Sequence, residues 1–161
     1  MRDVVSGAPR ITLLGYARHL SRVDLSIRAC LQDDVPAVLE LWSRARSEHA
    51  STADRSEDLR RLLAERPGSV LVAEAGGSIV GALIAAWDGW RGNMYRLAVA
   101  NEHRRLGTGL ALVRAGEEQL RDLGARRITA LVAHDDEVAA AFWERAGYPR
   151  DAVIGRRVRN L

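Results

Sequence analysis

Lysine is absent from this chain of 161 residues, and all 24 of its basic residues are arginines. Schiff-base chemistry on a lysine side chain is therefore excluded, and so is the phosphate-binding motif G-x-x-x-x-G-K-[ST]. Cys30 is the only cysteine, which leaves no disulfide framework and no thiolate metal cluster. The histidines show no metal-ligand spacing, so we expect no metal site.

Long apolar runs are also missing. No stretch approaches the roughly 18–20 apolar residues of a membrane span, and the apolar segment at 11–17 is short and is followed by Arg18 and His19. We therefore expect no signal peptide, no membrane partner and a cytoplasmic location. The net charge of +3 is small and the arginines are dispersed. This favours a small anionic ligand, and nucleic acid is not expected as a partner.

The length and the 47% hydrophobic content are typical of one globular domain. Residues 1–22 show no clear periodicity and are interpreted as an N-terminal extension, and residues 23–161 as the domain. The element order β-α-α-β-β-β-α-β-α-β predicts an α/β (α+β) fold with one mixed, mostly antiparallel sheet and helices on both faces. The predicted strands are 24–30, 69–75, 78–87, 93–100, 127–133 and one or two within 148–161, and the predicted helices begin near Asp33, at Ser56, after 104–110 and near Asp136.

A glycine loop separates the fourth predicted strand from the next helix. Arg104, Gly107 and Gly109 form the pattern R-x-x-G-x-G. Glycine permits a positive φ and a close backbone approach, a helix N-terminus attracts anions, and arginines add charge-assisted contacts. The loop is therefore suited to a pyrophosphate. A tight turn without a ligand is the alternative, and a dinucleotide-binding G-x-G-x-x-G is disfavoured because the third glycine is missing and the loop lies late in the chain.

The loop, the preceding "YRLAV" and the later "VAAAFWERAGY" together resemble the GCN5-related N-acetyltransferase (GNAT) family. The turn "WDGWRG" and the ending "ERAGY" further resemble a bacterial branch of that family typified by YpeA. The resemblance covers Asp24 to the C-terminus. It implies splayed central parallel strands, acetyl-CoA as co-substrate, and a homodimer as one possible assembly.

The resemblance also implies the residues that bind the cofactor. The pantetheine arm enters the gap beside the strand before the loop, where backbone N–H groups meet its amides and the acyl carbonyl; here this strand carries Leu97, Ala98 and Val99. The pyrophosphate is bound by the loop, whose residues here are Arg104, Arg105, Leu106, Gly107, Thr108, Gly109 and Leu110.

The family's last helix commonly reads N-x-x-A-x-x-F-Y-x-x-x-G-F, and here the matching residues are Asp136, Ala139, Phe142, Trp143, Gly147 and Tyr148. Asp136 and Phe142 are implied to lie at the cofactor, although a plain helix N-cap is the favoured interpretation of Asp136. Trp143 replaces the tyrosine that commonly protonates the departing thiolate. An indole N–H is only a donor, so packing is the favoured interpretation of Trp143.

An amine acceptor with a pKa near 10.4 must lose a proton before it attacks, at a cost of roughly 4–5 kcal/mol at pH 7. The candidate bases are Tyr95, Asp88, Glu48 and His49. In the turn "WDGWRG", the side chains of Trp87, Asp88 and Trp90 could border the acceptor cleft, because aromatic faces and a carboxylate attract cations. Hairpin-turn chemistry alone is the leading alternative.

These observations predict an N-acetyltransferase that transfers acetyl directly from acetyl-CoA to a primary amine of a small molecule or a protein. The alternative is a non-catalytic acyl-CoA-binding regulatory module, in which Trp143 marks lost chemistry. The enzyme would consume acetyl-CoA when an amine is added, whereas the binding module would bind it without turnover.

Overall fold

A computed structural model describes residues 24–45, 53–133, 135–155, 157 and 159. Five strands form one sheet in the order β1-β2-β3-β4-β5. The strands are β1 Ser26–Ala29, β2 Val70–Ala75, β3 Ser78–Trp87, β4 Gly92–Val99 and β5 Ile128–Ala130. The helices are α1 Val35–Ala45, α2 Ser56–Glu65, α3 Thr108–Asp122 and α4 Glu137–Arg145, with short 3₁₀ turns at Gln32–Asp34 and Asn101–His103.

The first four strands pair in antiparallel fashion, and β4 pairs with β5 in parallel. The parallel pair follows from the chain order, because β4 and β5 are joined by α3 and a helical crossover returns the chain in the same direction. The predicted mixed, mostly antiparallel sheet is confirmed.

Two apolar clusters cover the two faces of the sheet, as the alternation along β3 requires. Ala82 and Ile84 pack with α1 and α2 on what we call the α1–α2 face. Leu83 and Ala85 pack with α3 and α4 on the α3–α4 face. Each fully buried aliphatic side chain stabilises the fold by about 1.5–3 kcal/mol, so both helical layers are fixed to the same sheet.

Gly116 sets the distance between α3 and the sheet. A Cβ atom at this position would lie 3.0 Å from Cε of Met94 and 3.1 Å from Cδ2 of Leu83. The helix backbone therefore rests directly on these side chains, and α3 holds the loop at its N-terminus in a fixed position relative to β4.

The prediction of C-terminal strands is wrong for the described residues, since none of 149–155, 157 or 159 lies in a strand. The carboxylate of Asp151 accepts hydrogen bonds from the N–H groups of Val153 (3.0 Å) and Ile154 (3.1 Å), and Pro149 has no N–H group to donate. These local contacts compete with sheet pairing. In the described part of the chain, β5 is consequently an edge strand, and the parallel pair is not central as expected.

None of the helices in the described ranges is both long enough and apolar enough to cross a membrane. Among the same residues, no group of three or more histidine, cysteine or acidic side chains could hold a metal ion. The predicted extension at 1–22 lies outside the described residues.

Candidate active site

The pairing of β4 with β5 ends half-way along β4. Gly92, Asn93 and Met94 pair with β5, and the last hydrogen bond on this side runs from the N–H of Leu131 to the carbonyl of Met94 (3.2 Å). We call the remaining part of the strand, Tyr95–Val99, the open segment. Within the described ranges its strand pairing is with β3, so a gap lies between its other edge and β5.

A bulge lies within the open segment. Ala82 of β3 pairs with Ala98 and Ile84 pairs with Tyr95, so Arg96 and Leu97 together lie opposite Leu83. Arg96 adopts a φ of +56°, in the left-handed region that a bulge can require of one residue. The extra residue interrupts the regular pairing of β4 with β3, just beyond the point where the pairing of β4 with β5 ends.

Strand alternation determines which amides of the open segment face the gap. The N–H of Ala100 donates to Val80 of β3 (2.8 Å). Because successive residues point their backbone groups to opposite edges, we infer that the N–H of Ala98 also faces β3, and that those of Leu97 and Val99 on either side of it face the gap. The gap is therefore lined by backbone donors.

The loop after β4 presents further donors. Gly107, at the N-cap of α3, has a φ of +88°, and Arg105 has a φ of +61°. The first backbone hydrogen bond of the helix runs from Ala111 to the carbonyl of Gly107 (2.9 Å), so the N–H groups of the first turn have no partner within the helix ladder. Together with the helix dipole, these donors form a site for an anion.

Two contacts fix the loop to its surroundings. Nε of Arg104 donates to the carbonyl of Val99 (3.1 Å), which ties the loop to the end of β4. At Gly109, a Cβ atom would lie 3.3 Å from Cε2 of Phe142 and 3.6 Å from Cγ2 of Val99. The first turn of α3 thus packs closely against both α4 and β4, and the second glycine of the motif leaves little space for a larger side chain there.

Residues 35–148 match the family described as "Acetyltransferase (GNAT) family". The chain belongs to the GNAT acetyltransferase family. An acetyltransferase of Pectobacterium atrosepticum is 34% identical over 124 residues, which cover 77% of this chain and 87% of the relative. A second, from Photorhabdus laumondii, is 33% identical over 124 residues, covering 77% and 86%. The structure of a possible acetyltransferase from Clostridium difficile aligns with a TM-score of 0.70 at 16% identity, covering 85% of this chain and 98% of that one.

This GNAT acetyltransferase is acetyl-CoA-dependent. The assignment of the loop at 104–110 to the pyrophosphate, and of the open segment to the pantetheine arm, stays a prediction. A contribution from the N–H of Ala98 stays a prediction, which the strand alternation disfavours.

Asp136 is the N-cap of α4, since its Oδ1 accepts a hydrogen bond from the N–H of Ala139 (2.9 Å). The favoured interpretation of this residue is confirmed. A contact between Asp136 and the cofactor stays a prediction. Phe142 is partly buried, and its ring lies between Gly109 of α3 and Trp143, with 5.5 Å between the two ring centroids.

Trp143 is buried, with 6% of its surface exposed, and belongs to the cluster on the α3–α4 face. It makes an edge-to-face contact with Tyr148, whose ring centroid lies 5.1 Å away. The Tyr148 hydroxyl donates to Oε1 of Glu117 on α3 (3.0 Å). Both aromatic residues therefore join α4 to α3 and the sheet, which supports packing as the role of Trp143.

Tyr95 lies at the start of the open segment and packs against the α1–α2 face. Burial raises the pKa of its phenol above the usual value, because a buried phenolate is poorly solvated. The hydroxyl is therefore protonated at neutral pH. It can donate a hydrogen bond to a substrate, but it is a poor general base.

Asp88 shapes the β3–β4 turn. Its Oδ1 accepts hydrogen bonds from the N–H groups of Trp90 (2.8 Å) and Arg91 (2.6 Å), and the contact with Arg91 is the main reason that the pKa of the carboxyl lies below its usual value. These contacts support the alternative interpretation from the sequence, that Asp88 serves to form the hairpin turn. A carboxylate stabilised in this way is also a weak base.

The turn also lies away from the open segment. It precedes Gly92, at the paired end of β4, about 13 Å from Arg96 at roughly 3.3 Å per residue. Trp87 packs against the α3–α4 cluster, and Trp90 is 80% exposed. The structure does not bring Trp87, Asp88 and Trp90 together with the gap. Glu48 and His49, the other candidate bases, lie outside the described residues.

Sequence reasoning missed Arg96 of the open segment and its partner Asp54, which lies just before α2. Nη2 of Arg96 lies 2.8 Å from Oδ1 of Asp54, and the two side chains are 22% and 14% exposed. No sequence signal pointed to this pair, because a left-handed residue in a strand is normally recognised as a glycine and the ion pair joins distant parts of the chain.

A cavity of about 740 Å³ lies between α1, the β2–β3 hairpin and the 3₁₀ turn at Asn101–His103. Its walls are charged, but most of these charges pair with one another. Arg28 contacts both Asp34 (2.6 Å) and Glu74 (2.8 Å), and Arg44 pairs with Glu40. The cavity is thus a cleft whose charged walls are held together by ion pairs, and it lies beside the loop. No residue of the open segment lines it.

Proposed function

We propose that this enzyme transfers the acetyl group of acetyl-CoA directly to a primary amine, on a small molecule or a protein. The observation that carries the proposal is the divergence of β4 from β5 at a bulge, with outward-facing amides that lead into an unpaired helix N-terminus. A cytoplasmic location and homodimerisation remain predictions of the sequence.

In the proposed complex, the N–H groups of 105–110 hold the pyrophosphate, and the guanidinium groups of Arg104 and Arg105 add charge. Arg104 already donates through Nε to Val99, which leaves its two terminal nitrogens for the phosphate. The N–H of Leu97, beside the bulge, is the donor we assign to the acyl carbonyl, where it would stabilise developing negative charge.

The acceptor ammonium first loses a proton to water, since Tyr95 stays protonated and is a poor base. The amine nitrogen then attacks the thioester carbonyl carbon, the C–S bond breaks, and the sulfur leaves with the electron pair. The second proton lost by the nitrogen as the amide forms passes through water to the thiolate and gives the free thiol of CoA. A covalent acyl-cysteine is disfavoured, because burial raises the pKa of the Cys30 thiol to about 12 and the thiolate is the nucleophilic form.

The test is a screen of purified protein with acetyl-CoA and a panel of amines: small diamines, aminoglycosides, and peptides with free N-termini or lysines. We expect thiol release that depends on one class of added amine. The mass of that amine should rise by about 42 Da, because an acetyl group replaces a hydrogen atom. Binding of acetyl-CoA without turnover across the panel would instead support an acyl-CoA-binding module.

A pair of arginine variants tests the loop. Arg104→Ala removes a charge-assisted contact, and we expect the KM for acetyl-CoA to rise about tenfold, since a hydrogen bond to a charged group contributes about 1.5–3 kcal/mol. Arg121→Ala, on the exposed side of α3, is the matched control and should leave this KM unchanged. Equal KM values for the two variants would remove Arg104 from the site.

A further inference from the structure

We propose that the ion pair between Asp54 and Arg96 holds the bulge of β4 in the conformation that acetyl transfer needs, which makes Arg96 a positioning residue. This inference rests on the proposed function, because it assigns the bulge a role at the reacting carbonyl. It adds a contribution from Asp54, which lies just before α2 and outside the open segment and the loop.

The backbone of Arg96 needs such support. Its φ of +56° lies in a region that residues with a Cβ atom rarely occupy. A residue persists there only when its surroundings determine its conformation. On one edge of the open segment β3 supplies that support through pairing, but on the other edge β5 has ended. Among the described strands, pairing therefore restrains the bulge from the β3 side alone.

The side chain of Arg96 supplies a second restraint. Its guanidinium lies 2.8 Å from the carboxylate of Asp54, and both side chains are largely shielded from water. Shielding strengthens an ion pair and reduces its screening by salt. The geometry thus links the bulge to a second element through one short, oriented contact.

Asp54 is itself well anchored. It precedes the first residue of α2, Ser56, by two positions. The helix buries Leu59 and Leu63 in the cluster that also contains Ala98 of the open segment. The position of Asp54 relative to β4 is therefore set by packing on the α1–α2 face, and Arg96 is held against a rigid support.

Loss of the ion pair would allow Arg96 to relax toward an extended conformation. Relaxation of the bulge would reorient the peptide groups next to Arg96, so the N–H of Leu97 would no longer point into the gap, whereas Ala98 and Val99 would keep their pairing with β3. The loop at 105–110 is fixed separately, through Arg104 and Gly109. We therefore expect the rate of transfer to change while cofactor binding does not.

The test compares Asp54→Asn with Asp58→Asn. Asp58 forms an exposed ion pair with Arg61 on the same helix (2.7 Å), so its variant is a matched control that leaves the bulge intact. For Asp54→Asn we expect kcat to fall roughly 10- to 100-fold, as displacements of about 1 Å at a reacting centre do. The KM for acetyl-CoA should change less than about twofold, because the groups that contribute uniform binding remain.

Two further variants separate positioning from general destabilisation. The charge swap Asp54→Arg with Arg96→Asp restores the pair, and aspartate tolerates the left-handed region better than most residues, so kcat should recover in large part. Arg96→Gly keeps the backbone conformation accessible but removes the contact, so it should fold well and still lose kcat. Recovery by glycine alone would overturn the inference.

Amide hydrogen exchange of a peptide spanning 94–100 provides a readout that needs no turnover. We expect exchange at least about tenfold faster in Asp54→Asn and Arg96→Gly than in the wild type and Asp58→Asn, because local opening of the bulge exposes its amides. Unchanged exchange overturns the inference whether or not the enzyme is active. A wild type without amine-dependent turnover, but with this exchange pattern, would remove the proposed function and retain the structural role of the pair.

Discussion

A Cβ atom on Gly109 would lie 3.3 Å from Cε2 of Phe142, so the first turn of α3 packs against a ring of α4 with no room to spare. The anion-binding loop and α4 are therefore in direct packing contact, so a displacement of one is transmitted to the other. A change in either element is expected to affect both the stability of the fold and the geometry of the loop.

Gly109 is the first position at which this coupling can be measured. Gly109→Ala should be close to neutral, because the gain in helix propensity of about 1 kcal/mol offsets a tight contact that the ring can relieve by moving slightly. Gly109→Val should lower the free energy of unfolding by about 1–3 kcal/mol through overpacking and weaken CoA binding. Urea denaturation and titration with CoA measure the two effects.

The control for Gly109→Val is Glu57→Val, which places the same side chain at an exposed position near the start of α2. We expect this variant to change the free energy of unfolding by less than about 0.5 kcal/mol. If the two variants were equally stable, the contact with Phe142 would not limit the size of residue 109.

Trp143 offers a test of its assignment to packing. Trp143→Ala should cost about 3–5 kcal/mol of stability, as large-to-small changes of buried aromatic residues do. Trp143→Tyr restores the residue type common in the family, but it should not raise kcat, because the side chain is 6% exposed and lies in the core. Steady-state kinetics with the best amine decide this, and a tenfold or greater rise in kcat would place residue 143 at the sulfur.

The pH dependence of transfer tests Tyr95. Since burial raises the pKa of this phenol above its usual value, the hydroxyl stays protonated at neutral pH and its ionisation cannot cause kcat/KM to rise between pH 6 and 9. Tyr95→Phe should keep the shape of the pH profile of kcat/KM and lower its height by no more than about tenfold. Loss in the variant of a rise in that range would identify Tyr95 as the base after all.

The hydrogen bond from Tyr148 to Glu117 predicts sensitivity to alkali. Burial, with the Glu117 carboxylate as a further cause, raises the pKa of Tyr148 in the folded protein. Above about pH 10 the unfolded chain loses this proton first, so the free energy of unfolding falls as pH rises. Urea midpoints between pH 8 and 11 should fall more steeply in the wild type than in Tyr148→Phe.

At pH 7 the same variant should lose about 1 kcal/mol, the usual contribution of one hydrogen bond. Glu117 keeps a second partner in Arg114 (2.7 Å), so its carboxylate is not left without a charged neighbour. Parallel alkaline slopes for the wild type and Tyr148→Phe would show that the proton on Tyr148 does not contribute to stability.

Local sequence was sufficient for the elements that local chemistry determines. The helix at Ser56–Glu65 has the predicted bounds, the hairpin at Gly76 and Gly77 joins β2 to β3, and Asp136 caps α4. Each of these depends on turn residues, a cap or an apolar period within a few positions. The pattern R-x-x-G-x-G likewise predicted a helix N-terminus suited to an anion, because both glycines act within the loop itself.

Contacts between distant residues were decided only by the tertiary structure. The sequence alone did not show that Pro149–Gly155 would remain outside the sheet, that Ala98 would turn its amide to β3, or that Arg96 would adopt a left-handed conformation against Asp54. Strand pairing and buried ion pairs depend on which segments meet in space, and no short stretch of sequence carries that information. The sequence by itself therefore determined the donor loop and the family, whereas the arrangement of groups around the gap was determined by packing of the whole chain.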